Sequence, residues 1–491
     1  MSQRPPLAFM YMASFLEKNG EETEIVDVKG VQDKEKAEEK TAREVVRLNP
    51  DIVGLTCLTP EVLDTRKLAE RIKESLPDAK FLVGGVHPTL KPEDLLFKGS
   101  AIDYAVIGEG EQTVVELAKA IRDKRPVKKI RGIAFLGKNG KAVKTEPRPL
   151  ITDLGELPLP AFDKVKMKYY TKPDIYCIRG IPIAGFYVFS SRGCPYRCEF
   201  CVNKNIFGRV IRFRKPESVL DEIELLVDKY KIDGFYMYDD AFTVNKKHVE
   251  AVLQGMKERK IDLLWGCETR VNLVYEDLMR KMKEAGCVQI DFGVESGSPE
   301  NLVRLKKDIT VPQIEKAFGI CRKLGIRTFA NFMINTPNET KEDVKMTIDL
   351  ARRLDATINI FNVTVPYPGT DIYDKVGGVP LEDYAKIGPT PASYDQWIET
   401  IQSRYKLSNH NMDLKDLVKR LAEEFPTVHR LRLSNPKNFA KLWENLSFVF
   451  KPKYVKVMLK SKRKSEYLKW ALSLSGYLKM QKNVVEESKK D

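Results

Sequence analysis

The sequence lacks the features that mark an exported or membrane-spanning protein. No run of about 18 uninterrupted apolar residues occurs, so a transmembrane helix is not predicted. The opening segment, MSQRPPLAFMYMASFLEKNG, has no basic region followed by an apolar core, so a secretory signal is not predicted either. We therefore expect a cytoplasmic protein. Its eight cysteines would then lie in a reducing compartment, where spaced cysteines more often bind metal than form disulfides.

Acidic residues are sparse at one end of the chain. A length of 491 residues is too great for a single core, so two or three domains are expected. The hydrophobic content of 43% is that of a globular protein. Residues 391–491 hold 21 Lys and Arg against 11 Asp and Glu. The resulting charge of +10 is most of the net charge of +14 on the whole chain. This basic end requires its own explanation.

Residues 1–145 alternate short β-branched runs with helical patterns. The runs EIVDV, DIVGLTCL, KFLVGGV and IDYAVIG read as strands, and EKAEEKTAREVVRL and EVLDTRKLAERIKESL read as helices. Such alternation predicts a doubly wound, Rossmann-like α/β domain with a parallel sheet. The segment IRGIAFLGKNGKAVKTEP then predicts a hairpin with Asn139 and Gly140 at its turn.

A second alternation follows a proline-rich linker, residues 146–184. Six strand candidates lie between residues 186 and 366, with helices between them. Six βα units predict a partial (β/α)6 TIM barrel over residues 185–385, followed by a mainly helical C-terminal region over residues 386–491. In barrels of this kind, chemistry gathers at the carboxyl ends of the strands.

Three cysteines crowd into the loop after the first barrel strand. Cys194, Cys198 and Cys201 lie in SSRGCPYRCEFCVNKNIFG with the spacing C-x3-C-x2-C, and no fourth ligand lies nearby. Four thiolates would close a structural zinc or iron–sulfur site, whereas three leave one metal open to a substrate or cofactor. A zinc site completed by a distant histidine is the alternative. The five remaining cysteines are scattered singly and are expected to be buried small side chains.

The loop GCPYRCEFC resembles the C-x3-C-x-Φ-C motif of the radical S-adenosylmethionine (SAM) enzymes. The resemblance implies that Cys194, Cys198 and Cys201 hold a [4Fe–4S] cluster whose remaining iron binds SAM. It further implies a low-potential electron donor of the ferredoxin or flavodoxin type, whose electron cleaves SAM to a 5′-deoxyadenosyl radical. Phe200 occupies the position that this family places near the adenine.

Polar residues at other strand ends also resemble this family. Asp239, in FYMYDDAFT, would meet the amino group of SAM, and Arg270, in CETR, would pair with its carboxylate. Glu295 and Ser296, in GVESGSPE, would bind the ribose, and Tyr367, in PYPGT, would lie near the adenine. Taken singly, each is equally well explained by a surface ion pair or a helix cap.

The first domain resembles the cobalamin-binding domain of one large subset of radical SAM enzymes. The resemblance implies that loops at three strand ends bind cobalamin; its residues would be Thr56, Gly84, Gly85, Gly108, Glu109 and Gly110. Glycines there would let the backbone approach a bulky planar ligand. No D-x-H-x-x-G loop is present, so no histidine is expected to ligate cobalt. The family's usual first strand, ahead of PPLAFMYMASFLEKNG, is missing, so either the start codon is misplaced or the sheet lacks this strand.

The basic tail KPKYVKVMLKSKRKSEYLKWALSLSGYLKM interleaves lysines with apolar residues. Basic amphipathic helices bind anionic membrane surfaces. A nucleic acid is the rival partner, and a solvated helix packed on the barrel is a further alternative. The resemblance to hopanoid methylases, archaeal tetraether ring synthases and the anaerobic Mg-protoporphyrin ester cyclase group favours a lipid substrate at the inner face of the membrane.

The sequence therefore predicts a radical SAM enzyme, cobalamin-dependent by resemblance, that methylates or otherwise forms a bond at an unactivated carbon. A radical cyclase or carbon–carbon coupling enzyme without methyl transfer is the alternative within enzymes. A methylthiotransferase acting on transfer RNA would require a second cysteine triplet in the first domain, where only Cys57 is present. The alternative of another class is a non-catalytic iron–sulfur or cobalamin sensor with a nucleic-acid-binding tail.

Overall fold

The computed structural model describes residues 4–28, 34–387, 391–425 and 447–471. The helices of these ranges are short to medium in length. They are α1 (Leu7–Lys18), α2 (Lys34–Leu48), α3 (Val62–Ser75), α4 (Val86–Leu90), α5 (Glu111–Arg122), α6 (Met167–Tyr170), α7 (Asn203–Ile206), α8 (Pro216–Tyr230), α9 (Lys246–Glu258), α10 (Glu276–Glu284), α11 (Pro299–Arg304), α12 (Val311–Lys323), α13 (Lys341–Leu354), α14 (Asp371–Lys375), α15 (Leu381–Tyr384), α16 (Pro391–Arg404), α17 (Leu414–Glu424) and α18 (Pro452–Lys460). Residues 464–471 are also helical. None of the described helices combines the length and apolar character that a membrane crossing requires.

The strands form two main sheets and two small ribbons. They are β1 (Ile52–Thr56), β2 (Lys80–Gly84), β3 (Tyr104–Val106), β4 (Ile133–Leu136), β5 (Ala142–Lys144), β6 (Asp174–Ile178), β7 (Ile181–Ile183), β8 (Gly185–Val188), β9 (Ser191–Arg192), β10 (Arg212–Phe213), β11 (Gly234–Met237), β12 (Leu264–Thr269), β13 (Cys287–Glu295), β14 (Arg327–Ile334) and β15 (Ile358–Val363).

The N-terminal sheet has the order β1-β2-β3-β4-β5. Strands β1, β2 and β3 are parallel, and β4 and β5 add the predicted antiparallel hairpin. The prediction of a strand at EIVDV is wrong, since residues 24–28 form no strand. The segment does not pair with β1, although β1 lies at one end of the sheet order. Strand formation depends on tertiary pairing as well as on local propensity, so a β-branched run alone does not make a strand.

The second sheet is the predicted partial barrel. Its six strands are parallel in the order β15-β14-β13-β12-β11-β8. Successive side chains of a strand point to opposite faces. Phe186, Val188, Phe235 and Met237 accordingly pack in the main core, against helices such as α8 and α9. The alternate residues turn toward the inside of the barrel.

The β6–β7 hairpin and the start of the basic tail close one side of the barrel. Tyr187 and Tyr236 pack with the hairpin residues Cys177 and Ile183. Gly185 and Gly234 leave room for this hairpin, because a Cβ at Gly185 would lie 2.5 Å from the Cys177 Sγ. The end of the barrel that stays open is therefore the end at which the strands finish and the cysteine loop lies.

The described helices of residues 391–471 pack at two separate places on the barrel. Helices α16 and α17 share a core with Ile334, Val344 and Val363, whereas α18 packs on the β6–β7 hairpin. The predicted helical character of this region is therefore present, in two groups of helices.

Candidate functional site

The cysteine loop is the long connection of a two-residue β-ribbon. Strands β9 and β10 pair antiparallel, with Arg192 opposite Arg212, and the loop between them carries all three cysteines. Gly193 begins the loop with φ +98°, and a Cβ there would lie 2.3 Å from the Val210 carbonyl oxygen. Only glycine fits this position, both for its left-handed backbone and for the close approach.

The three thiols are neighbours, and none forms a disulfide. Cys198 is buried, while Cys194 and Cys201 are partly exposed. Burial raises the pKa of Cys201 to about 11, and the nearby Cys198 and Cys194 add to the shift. The raised pKa favours the protonated thiol in the absence of metal. Bound metal favours the thiolate instead, since a coordinating thiol is deprotonated.

These residues fit an iron–sulfur cluster by their chemistry. Three thiols on one loop provide soft ligands, and cluster iron is held by cysteine thiolates. Within the described ranges, no group of three His, Cys, Asp or Glu side chains is arranged as ligands of a single ion. The five other cysteines are buried, as predicted.

Arg270 holds the cysteine loop from the third barrel strand. Its Nη1 lies 3.5 Å from the Cys198 Sγ, and its guanidinium carbon lies 3.7 Å from the centre of the Tyr196 ring. Its Nη2 donates to the Lys307 carbonyl. Arg270 is therefore at the cysteines, as its predicted place near SAM requires, with part of its guanidinium occupied by the loop.

The two aspartates after β11 have different surroundings. Asp239 is buried, and its carboxylate accepts hydrogen bonds from the backbone N–H and the hydroxyl of both Ser190 and Ser191. Asp240 accepts a 2.6 Å bond from the Asn203 amide and interacts electrostatically with Cys194 and Cys201. Asp240 therefore lies toward the cysteine loop, while Asp239 is bonded to Ser190 and Ser191; the contact of Asp239 with SAM stays a prediction.

Glu295 is tied to a buried lysine beside the predicted adenine contact. Lys307 Nζ donates to Glu295 Oε1 at 2.6 Å and lies 5.8 Å from the centre of the Phe200 ring. Glu295 has φ +65°. A Cβ on Gly293 would meet both Glu295 and Lys307, so glycine leaves space for the pair.

Ser296 and Tyr367 are engaged by the protein. The Ser296 hydroxyl, fully buried, lies 3.0 Å from the Thr347 hydroxyl and accepts from the Ser298 N–H and the Asn301 amide. This network orders the start of α11, and the contact of Ser296 with the ribose stays a prediction. The Tyr367 ring stacks on Tyr384 at 5.8 Å.

The predicted cobalamin loops do meet at one edge of the N-terminal sheet. Gly108, with φ +74°, has nothing within 4 Å of a built Cβ, so its position is open, and its N–H donates to the Thr89 hydroxyl. A Cβ on Gly85 would lie 3.0 Å from the Thr56 hydroxyl, and one on Gly110 would lie 3.0 Å from the Met12 side chain. These two glycines are required by protein packing, which differs from the predicted approach of a ligand. A Cβ on Gly84 would make only an ordinary contact with Val106.

Glu109 lies between the two domains. Its Oε1 accepts from Arg192 Nη1 at 3.1 Å, and its Oε2 accepts from Arg212 Nη1 at 2.7 Å and from the Ile151 N–H at 2.8 Å. These partners lower the pKa of Glu109 against the opposing effect of burial. Both oxygens of Glu109 therefore bind the cysteine-loop ribbon and the linker, and its contact with cobalamin stays a prediction.

Sequence reasoning placed Glu268, in CETR, at the third strand end but missed its charged neighbours Arg179 and Asp291 inside the barrel. Arg179, at the tip of the β6–β7 hairpin, binds Asp291 at 2.6 Å and lies 3.7 Å from Glu268. Burial, followed by the charge of Asp291, raises the pKa of Glu268 to about 7. The sequence does contain a signal for this group. Side chains that face the inside and the outside of the barrel alternate along each strand, so charged residues on the inward positions of β12 and β13 indicate a polar site inside the barrel.

The basic tail uses its predicted apolar residues against the protein. Tyr454 and Val457 are buried, and the Tyr454 hydroxyl donates to the Pro182 carbonyl. The Tyr467 hydroxyl accepts from the Ala184 N–H at 2.7 Å and lies 2.9 Å from Asp233. Of the three alternatives for the tail, these residues agree with the helix that packs on the barrel. Leu474 and Leu478, assigned to the same apolar stripe, lie outside the described residues.

Comparison with known proteins agrees with both domains. The Radical SAM superfamily matches residues 188–351, and the B12 binding domain matches residues 2–118. An uncharacterized methyltransferase, PH0819 of Pyrococcus horikoshii, is 34% identical over 374 residues, which cover 75% of this chain and 78% of that protein. The anaerobic magnesium-protoporphyrin IX monomethyl ester cyclase of Rubrivivax gelatinosus is 29% identical over 82% of this chain and 73% of its own length.

A solved structure has the same fold. The radical S-adenosylmethionine methyltransferase TsrM of Kitasatospora setae, with cobalamin and a [4Fe-4S] cluster bound, superposes with a TM-score of 0.64 at 22% identity. The superposition covers 90% of this chain and 86% of that protein. It shows that the order of the two domains and the partial barrel are shared.

Proposed function

This chain belongs to the radical SAM superfamily and carries a B12-binding domain, and we propose that it transfers a methyl group to an unactivated carbon of a substrate bound inside the barrel. It is an enzyme whose cofactors are a [4Fe–4S] cluster, SAM and cobalamin. We further propose Cys194, Cys198 and Cys201 as the cluster ligands and the loop at Gly108 as the place where cobalamin meets the protein.

One observation carries the proposal. The cysteine loop and the Gly108 loop belong to different domains, yet Glu109 joins them through direct ion pairs to both strands of the β9–β10 ribbon. When bound, the cluster and SAM supply a carbon-centred radical and cobalamin supplies a methyl group. An enzyme that uses both on one carbon requires their sites to be adjacent, and this contact supports that arrangement.

The remaining residues orient the cofactor and exclude water. Arg270 and Asp240 carry opposite charges beside the cysteines, which suits the carboxylate and amino groups of SAM. Glu295 holds Lys307, whose Nζ lies 5.8 Å from the centre of the Phe200 ring. In this arrangement the protein supplies position and electrostatics, while the cofactors supply the reactive atoms.

The barrel interior favours a substrate with a polar group at its inner end. Glu268, Asp291 and Arg179 meet there, beside the aromatic rings of Tyr236 and Tyr238. Burying an unpaired polar or charged group is costly, so a substrate that reaches these residues needs donors or acceptors to match them. Glu268, more exposed than Asp291, is the residue available for such a contact.

The test is anaerobic reconstitution with iron, sulfide, cobalamin, SAM and a chemical reductant. The reconstituted chain should show cluster absorbance and release 5′-deoxyadenosine, and Cys201→Ala should abolish both. Cys321→Ala, which alters a buried cysteine of α12, is the matched control and should retain them. A wild-type chain that carries a full cluster but never cleaves SAM would refute the proposal. The physiological reductant, which we propose to be a ferredoxin or flavodoxin, would replace the chemical one in the same assay.

A radical cyclase without methyl transfer is the second candidate. The 29% identity to a magnesium-protoporphyrin ester cyclase favours it. Labelled methyl groups separate the two, because a methyltransferase passes label from SAM to its product and a cyclase does not.

A membrane lipid remains the proposed alternative to a polar substrate. Within the described part of the basic tail, Val455, Leu459 and Leu468 are exposed, whereas Tyr454 and Val457 are buried against the protein. Salt-sensitive flotation with anionic liposomes, lost on deletion of residues 451–491, would support it. Mass spectrometry of lipids from cells with and without the protein would identify the product.

A further inference from the structure

The neck of the cysteine loop places two positive charges face to face. Arg192 and Arg212 are direct partners in the β9–β10 ribbon, and both side chains are largely buried. Like charges opposite each other on paired strands destabilise the pairing. A ribbon of two residues per strand has little backbone pairing to offset this repulsion, so the neck needs a carboxylate to hold it together.

That carboxylate comes from the other domain. Glu109 binds Arg192 at 3.1 Å through one oxygen and Arg212 at 2.7 Å through the other. Glu111 adds a 2.6 Å bond to Arg192, and the Glu109 side chain is only 3% exposed. The Nε and Nη2 of Arg212 are buried without a partner among the described residues, so Glu109 is its principal compensation. Charge-assisted bonds of this kind, shielded from water, are stronger than surface ion pairs.

The same residue lies between the two glycines of the predicted cobalamin loop. Gly108 has the left-handed backbone and an open Cβ position, whereas Gly110 packs against Met12. A ligand that contacts the backbone at Gly108 therefore acts one residue away from the side chain that closes the neck. On the barrel side, Asp239 fixes the same neck through Ser190 and Ser191. The neck is thus held from both domains.

We propose that Glu109 is a positioning residue that couples the cobalamin loop to the cysteine loop, so that binding of cobalamin orders the neck of the cluster site. The inference rests on the proposed function, since it needs cobalamin at the Gly108 loop. By reciprocity, if cobalamin raises the affinity of the cysteine loop for its cluster by some factor, the bound cluster raises the affinity for cobalamin by that same factor.

Hydrogen–deuterium exchange of the cluster-reconstituted full chain tests the coupling. Adding hydroxocobalamin should slow exchange at residues 104–111 and also at the two neck strands, β9 and β10. Couplings between protein sites are typically ~5- to 150-fold, and the slowing at the neck should fall in that range. In Glu109→Gln, cobalamin should still protect residues 104–111 but no longer slow exchange at β9 and β10. Equal slowing at the neck in Glu109→Gln and wild type would overturn the inference.

Controls distinguish a failure of the coupling proposal from a failure of the proposed function. Glu116→Gln removes an ion pair with Arg148 from α5, the helix that begins two residues after Glu109, and should leave the coupling intact. If Glu109→Gln does not fold, Glu109→Gln with Arg212→Gln removes both members of the pair and should fold without coupling. Cobalamin binding is followed independently by absorbance. A wild type that binds none would refute both proposals, whereas binding without any change at the neck would refute only the coupling.

Discussion

Arg270 stacks on Tyr196 while its Nη1 lies 3.5 Å from the Sγ of Cys198. One guanidinium thus supports the cysteine loop from a barrel strand. Arg270→Lys keeps the charge but loses the planar stack and the fork of donors, so it is not a conservative change here. We expect a lower iron and sulfide content after reconstitution and at least a ~10-fold slower release of 5′-deoxyadenosine, in line with ~1.4 kcal/mol per tenfold in rate. Arg280→Lys, on the exposed face of α10, should behave as wild type; equal loss in both would contradict this role.

The neighbouring aspartates should respond differently to substitution. Asp239→Asn weakens acceptance from four donors of Ser190 and Ser191, so it should lower the free energy of unfolding by about 1.5–3 kcal/mol. Asp240→Asn should leave stability nearly unchanged and raise the Kd for SAM, measured by equilibrium dialysis. Weaker SAM binding in Asp239→Asn alone would restore the role predicted for it from the sequence.

Glu268 should make stability depend on pH with a defined sign. Its pKa is raised to about 7, so between its usual range and pH 7 the folded chain binds more protons than the unfolded chain. Stability therefore falls as pH rises through that window. Glu268→Gln should remove this slope and be more stable than wild type at pH 8. Because the side chain is 36% exposed, screening limits the gain to ~1 kcal/mol. Urea unfolding of wild type and variant at pH 5 and pH 8 measures the free energy of unfolding at each pH. If the variant keeps the pH dependence of the wild type, Glu268 is not the source of that dependence.

Tyr467 anchors the end of the described tail to the barrel. Tyr467→Phe leaves the Ala184 N–H without its acceptor, and a buried unsatisfied donor costs about 1–3 kcal/mol. We expect the thermal midpoint to fall and the cluster content to stay unchanged, because this contact lies away from the cysteines. Tyr275→Phe, at a side chain that is 45% exposed, is the comparison and should leave the thermal midpoint unchanged. A tail that served only as a membrane anchor would give Tyr467→Phe full stability in solution and poorer liposome binding.

The architecture was predictable because it depends on local patterns. Each barrel strand is a β-branched or aromatic run between helical stripes, and all six appear where the sequence indicates. The segment EIVDV has the same local pattern but forms no strand. Its fate depends on a neighbouring strand, which a local pattern does not encode.

The site was predictable only where a motif fixes the chemistry. The spacing of Cys194, Cys198 and Cys201 identifies the loop, whereas the different surroundings of Asp239 and Asp240 depend on hydrogen-bond partners far away along the chain. Glu109 lies between Gly108 and Gly110, so the sequence alone predicts that it belongs to a ligand-binding loop. Its actual partners, Arg192 and Arg212, are some 80 to 100 residues away along the chain, so no local pattern connects them.

The ion pairs of Glu109 also limit how such proteins can be recombined. A chimaera that exchanged the first domain for that of a relative would carry a foreign side chain into the contact with Arg192 and Arg212. Unless an acidic residue arrived at the same place, the graft would leave two buried guanidinium groups facing each other. Modular engineering of this chain therefore has to treat the glutamate of one module and the arginines of the other as a single transferable unit.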